Sequence, residues 1–345
     1  MKAAVLKGIG RIEIQDVADP VIQRDNDVLI RMGRAGLCGS DLHYYTTGRI
    51  GAQIVEYPFI IGHEGAGVVE GVGAAVNDLK PGDRIAIEPA MPCWECDQCR
   101  AGRHHTCRKL RFLGCPGQSP GCLSEYIVMP SECCFKIQDK MTLEQAMLSE
   151  PLAIGVYAAK LAGRVKGARI GILGAGPIGL CVMAAARAEG AEKIYVTEKI
   201  PERMQIARNH GADWAGDARD GDIADQINGL EPEQLDIVFE CCGQQEALDV
   251  ALEILKPGGK LMIAGIPETD RVSFSIDHLR RKEICVQNVR RQVDCVQAAL
   301  DMIDNGVTDV DFMATHHFHF DQIAQAFELV VGYRDGVVKA IIDMA

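Results

Sequence analysis

The stretch R-I-G-I-L-G-A-G-P-I-G-L-C-V-M-A-A-A, Arg169 to Ala186, constrains the fold of this chain more than any other. Its uncharged run is short for a membrane span and is broken by glycines and a proline, so it reads as a buried strand, a tight turn and a helix. Within it, Gly174 permits the turn, Gly176 lets the backbone approach a pyrophosphate, and Gly179 lets the helix pack closely on the sheet. The proline at the start and Gly190 beyond the end predict a helix over 177–189. Its first N–H groups and dipole favour phosphate charge. Pro177 and Ile178 complete the candidate cofactor-binding loop.

The next strand, K-I-Y-V-T-E, ends at Glu198, nineteen residues past Gly179. A carboxylate there accepts ribose hydroxyls and repels a 2′-phosphate, which favours NAD over NADP, with Lys199 beside it softening the preference. Arg203, in the helix P-E-R-M-Q-I-A-R-N-H-G, is a further candidate cofactor contact. The strand-helix alternation continues through L-D-I-V-F-E-C, E-A-L-D-V-A-L-E-I-L-K-P-G-G, K-L-M-I-A-G and E-I-C-V-Q-N. That pattern predicts a doubly wound parallel α/β sheet that binds a dinucleotide.

The chain has 345 residues, too many for one ordinary core, and two domains are expected. The first 150 residues hold short strands, M-K-A-A-V-L, I-E-I-Q-D-V, D-V-L-I-R-M, G-A-G-V-V-E-G-V, D-R-I-A-I-E-P and L-S-E-Y-I-V-M-P, with few helical periods. This part reads as mainly β and barrel-like. The tail from about Gln292 has an amphipathic helix, V-D-C-V-Q-A-A-L-D-M-I-D-N-G, and a strand-like D-G-V-V-K-A-I-I-D-M. A net charge of −12 argues against nucleic acid and against an anionic membrane as partners. With no signal peptide or membrane span legible, a cytoplasmic protein is expected.

Fourteen cysteines without an export signal do not suggest a disulfide framework. Cys93, Cys96, Cys99 and Cys107 follow the pattern C-x2-C-x2-C-x7-C in a loop of Pro, Gly and charges. Four thiolates at such spacing make a closed tetrahedral zinc site, a structural rather than a catalytic one. A redox C-x-x-C would need a βαβ setting that is absent here, and a zinc-ribbon nucleic-acid module is opposed by the acidic balance. A second group is scattered: Cys38 in G-L-C-G-S-D-L-H, His63 in G-H-E-G and Glu150 in S-E-P. Catalytic zinc sites draw ligands from separated segments and keep a position open. On residue type alone a buried cysteine and a core histidine are equally good readings.

The order of these motifs, with Cys38-Gly-Ser-Asp, Gly62-His63-Glu64, Pro81-Gly82-Asp83-Arg84, the four-cysteine loop, Glu150-Pro151 and the glycine loop, resembles the zinc-dependent medium-chain dehydrogenases over nearly the whole chain. C-G-S-D-L-H-Y-Y-T-T-G-R-I-G, I-E-P and S-E-P-L-A-I-G-V look like the sorbitol/xylitol dehydrogenase branch. The resemblance implies a GroES-like catalytic domain from residues 1–154 and 289–345, with a structural zinc lobe at about 90–110. A Rossmann NAD-binding domain would occupy 155–288. It implies two zinc ions per subunit. Cys38, His63 and Glu64 would hold the catalytic one, with Glu150 taking a vertex or holding water, and Asp41 would orient His63.

Ser40 and His43 match a hydroxyl–histidine proton relay, and Tyr44 and Arg290 match polyol-contacting positions. The branch usually carries aromatics on both sides of that arginine; here Val289 and Arg291 stand there. The implied reaction is oxidation of a secondary hydroxyl of a polyol, with hydride transfer to NAD, in a homotetramer or dimer. Threonine, 2,3-butanediol and sugar-acid dehydrogenases are the neighbouring alternatives. A zinc-free quinone or enone reductase, and a non-catalytic nucleotide-binding protein, are disfavoured by the intact ligand set.

Overall fold

The computed structural model describes residues 1–344 and divides into two compact units. The first comprises 1–150, 296–306 and 310–345; the second comprises 151–295 and 307–309.

The first unit is organised by Asp27–Gly36, the longest strand among the described residues. Val28, Ile30 and Met32 alternate onto the buried face while Arg31 points to solvent, the period-two pattern of a half-buried strand. This strand pairs antiparallel with Glu64–Val72 on one side. On the other it pairs with Tyr126–Pro130 near its start and Lys339–Asp343 near its end. The sheet continues through Arg84–Ile87 and Cys134–Lys136 on one flank and Ala314–His319 on the other. The end of the chain therefore lies in the middle of a sheet begun near its start. Helix Ile323–Val331 packs on helix Gly39–Thr46 through Phe327 and Tyr45, whose ring centres are 4.9 Å apart.

The second unit holds six parallel strands in the order Trp214–Asp217, Lys193–Glu198, Arg169–Leu173, Leu235–Glu240, Leu255–Ile263 and Cys285–Asn288. The first strand in sequence sits centrally and the order reverses beside it, which is the switch point where such sheets bind dinucleotides. Helix Pro177–Ala188 buries Leu180, Val182 and Met183, each contributing about 1.5–3 kcal/mol of apolar burial.

The parallel α/β sheet and mainly β unit agree with the expectation. Several elements do not follow from the sequence patterns, among them a helix across Pro151 and a strand and helix near the chain end. Helix Leu143–Ala162 continues past Pro151, although the missing N–H there leaves the Met147 carbonyl without its usual helical donor. Its apolar burial outweighs that loss. Strand Ala314–His319 and helix Ile323–Val331 are set by packing against the returning chain end.

Phe327 is fully buried, and Phe327→Ala should lower unfolding free energy by about 3–5 kcal/mol in denaturant titration.

Candidate active site and metal centres

Cys93, Cys96, Cys99 and Cys107 converge where the short helix Asp97–Arg100 and the turn His104–Thr106 fold the loop back on itself. The sulfur separations are 3.4 Å (Cys93–Cys107), 3.6 Å (Cys96–Cys99), 3.9 Å (Cys96–Cys107) and 4.0 Å (Cys93–Cys99). Thiolates bound tetrahedrally at zinc stand about 3.8 Å apart, so the cage fits the ion, and all four distances are far too long for disulfides. The backbone N–H groups of Arg108 and Cys99 bring the Cys96 thiol down to about 6, while burial pushes Cys99 up to about 12. Cys96 is thus a ready thiolate, and Cys99 is one that needs a cation to ionise. Arg108 binds Asp97 in a bidentate pair (2.5 and 2.9 Å) and Lys109 binds Glu95 (2.6 Å), tying the far arm of the loop to the near one.

Cys38 precedes helix Gly39–Thr46, and His63 precedes strand Glu64–Val72. With Glu64, they bring one sulfur, one imidazole nitrogen and one carboxylate oxygen within 4.8 Å of one another. A thiolate, an imidazole and a carboxylate are a zinc donor set, and three protein donors leave room for a fourth. Asp41, fully buried on the helix's first turn, accepts the N–H groups of Cys38 (3.0 Å) and Gly62 (3.2 Å). The same carboxylate lies 3.7 Å from His63 Nδ1. One carboxylate therefore holds both ligand segments. Burial works to lower the His63 imidazole, but the neighbouring charges of Cys38 and Asp41 outweigh it and hold the group well above its usual range.

Glu150 is buried on helix Leu143–Ala162 and is not among the three groups that converge. Ser40 and His43 are half-buried, three residues apart on one helix face, and no hydrogen bond joins them. The Tyr44 hydroxyl lies buried, 3.7 Å from Cys115 Sγ, which also accepts the Gln53 amide at 2.9 Å. Phe112 faces the His63 ring at 5.4 Å and packs with Cys115. Arg290 is exposed in the second unit, just past strand Cys285–Asn288.

In the second unit, Gly174 has φ +104°, a conformation open to glycine, and its N–H donates to Thr197 O (2.8 Å). A side chain on Gly179 would overlap the Gly174 carbonyl, whereas one on Gly176 would fill open space beside Arg203 (3.7 Å). That opening at the helix N-terminus is a cradle for a pyrophosphate. Pro177 and Ile178 begin the helix there, and Arg203 is buried beside it.

Glu198, at the end of its strand, accepts the N–H groups of Ala175 (2.8 Å), Lys199 (2.6 Å) and Ile200 (3.0 Å). It latches the glycine loop, and a carboxylate with about four acceptor sites can accept a further donor beside these three.

Lys339, Cys115 and Gln53 join the site without having been marked by any motif in the sequence. Lys339 Nζ lies 2.6 and 2.7 Å from the two Glu64 carboxylate oxygens, deep in the first unit. A lysine inside the apolar run V-V-K-A-I-I was the one available signal.

Two family models match the chain: an alcohol dehydrogenase GroES-like domain over residues 24–139 and a zinc-binding dehydrogenase domain over 177–305. Sorbitol dehydrogenase of Bacillus subtilis is 35% identical over 343 residues, covering 99% of this chain and 97% of that protein. L-idonate 5-dehydrogenase of Vitis vinifera is 34% identical, with 94% and 90% covered. An oxidoreductase of unknown specificity from Escherichia coli superposes with a TM-score of 0.91 at 32% identity, over 99% of this chain and 98% of that one.

Cys96→Ser should remove one zinc per chain by metal analysis and open the 93–107 loop to proteolysis, with the glycine loop unaffected. Gly179→Ala should weaken dinucleotide binding at least about tenfold in a fluorescence titration, the factor for about 1.4 kcal/mol of lost fit.

Proposed function

The chain belongs to the zinc-containing medium-chain dehydrogenase family, and from that premise we propose that it oxidises a secondary hydroxyl of a polyol to a ketone, with NAD as hydride acceptor. The observation that carries this reading is the convergence of Cys38, His63 and Glu64 as an incomplete donor set in a chain that also bears a dinucleotide cradle. Zinc held there would supply Lewis acidity toward a hydroxyl oxygen, and nicotinamide would supply the hydride acceptor.

The chain's own groups do the rest. Asp41 fixes the orientation of His63 and the backbone before it. Ser40 and His43, on one helix face, would carry the substrate proton outward, and Glu150 would hold a water near the metal or serve as a further ligand to it. Tyr44 and Arg290 contact the polyol beyond its reacting carbon, with the Tyr44 hydroxyl steadied by Cys115. Glu198 favours NAD because its remaining acceptor site suits a ribose hydroxyl and its charge opposes a 2′-phosphate.

Sorbitol- and xylitol-like polyols are the proposed substrates. The sugar-acid alternative is kept in view by the likeness to L-idonate 5-dehydrogenase and by Val289 and Arg291 flanking Arg290. The exposed edge strand Cys285–Asn288 suits homo-oligomer assembly by sheet extension, as a dimer or tetramer. No helix among the described residues is long and apolar enough to cross a membrane, and fourteen free thiols suit a reducing compartment such as the cytoplasm.

Nicotinamide reduction with sorbitol, xylitol, L-iditol, galactitol, idonate, 2,3-butanediol and threonine tests this reading. A polyol should lead the series, with NAD preferred over NADP at least about tenfold. Turnover of idonate or threonine alone, by protein that retains zinc and binds NAD, would overturn the polyol assignment. Tyr44→Phe should raise KM for the polyol about three- to tenfold, the loss of one neutral hydrogen bond, with kcat nearly held.

A further inference from the structure

Lys339 and Glu64 are each 1% exposed. The ammonium sits almost symmetrically on the carboxylate, 2.6 Å from Oε1 and 2.7 Å from Oε2, and donates its third N–H to the Leu37 carbonyl at 3.1 Å. A lysine has three N–H donors, and three acceptors meet them. Leu37 directly precedes Cys38, so this one side chain holds both metal-donor segments. The surrounding fold makes room for the pair. Gly36 lies opposite Glu64 in the sheet, and a side chain there would overlap Glu64 Oε2 and stand 2.7 Å from Met147 Sδ.

Two carboxylates, those of the buried Asp41 and of Glu64 itself, stand around the donors with Cys38 and His63. Each Glu64 oxygen keeps a lone pair after binding the ammonium, so Glu64 can touch a metal while tethered. A buried carboxylate stripped of its counter-ion pairs with another cation or takes up a proton, and a metal held by Cys38 and His63 would be the cation it meets.

We infer that Lys339 is a positioning residue that competes with zinc for Glu64, keeping that carboxylate an intermittent ligand and one coordination position open to the substrate hydroxyl. The inference rests on the dehydrogenase reading of the site. Its test is independent of which alcohol is the substrate, because the primary readout needs no substrate.

The test uses the zinc-loaded holoprotein and Lys339→Met, Lys339→Arg and the double variant Glu64→Gln/Lys339→Met. A chelating dye follows zinc release from the mixed-donor site, and cobalt substitution gives its visible spectrum. In Lys339→Met, Glu64 becomes a permanent ligand. Zinc release should slow about tenfold, the cobalt spectrum should change, and kcat should fall by a similar factor while the Kd for NAD is held. Lys339→Arg should restore all three. The double variant should release zinc no more slowly than the native protein, since the slowing requires Glu64.

Faster zinc loss from Lys339→Met would mark a scaffold role only and overturn the inference, as would unchanged release and spectrum, or slow release persisting in the double variant. Should Lys339→Met fail to fold, Lys339→Gln, which keeps a donor for Leu37 without the charge, carries the same comparison. Loss of polyol turnover in the native protein, with the zinc-release pattern intact, would count against the substrate and leave Lys339 in its role.

Discussion

The hydrogen-bond register of strand Asp27–Gly36 is the constraint on which the catalytic centre depends. Cys38 stands two residues past its end. Glu64 is its partner opposite Gly36, and His63 is one residue before that partner. Strand Lys339–Asp343 joins it from the far end of the chain, with Ile341 opposite Gly36. A slip of one residue in either pairing would turn Glu64 or Lys339 to the other face of the sheet and separate the pair. The apolar face of Val28, Ile30 and Met32 makes such a slip costly, so the core that stabilises the sheet also sets the spacing of the donors.

The two zinc sites solve opposite problems. The four-cysteine cage is local: its ligands lie within one loop, the loop is tied by Asp97–Arg108 and Glu95–Lys109, and every coordination position is taken. The mixed-donor site is non-local, with ligands from two segments and a counter-ion from a third. Its donor set holds three groups, and its one carboxylate donor is paired with the buried ammonium of Lys339. A closed cage suits a structural ion and an open site suits chemistry on a hydroxyl.

What could be read from the sequence follows the same division. The glycine loop and the four-cysteine spacing were legible because their geometry is contained in a few consecutive residues. The alternation of strands and helices after residue 155 was legible because each element buries its own face. Cys38 and His63 were visible only as residue types, and the order of motifs across the chain, not periodicity, paired them. Lys339 was out of reach: its contact with Glu64 spans 275 residues and exists only once the sheet has closed. Helix Leu143–Ala162 was obscured by Pro151, where tertiary burial overrides a local signal to stop. Glu198 was readable as a carboxylate ending the strand after the glycine loop but not as the latch on Ala175, which depends on how its strand meets the glycine turn.

The most direct test of the account is the zinc-edge X-ray absorption spectrum, recorded before and after mild chelation to inactivity. One all-sulfur site and one site with a single sulfur average about 2.5 sulfurs per zinc. The open site releases its ion first, so activity should disappear as the average rises to about 4. An average that falls while activity is lost, or a full complement of activity once only the all-sulfur zinc remains, would contradict the assignment of chemistry to Cys38, His63 and Glu64.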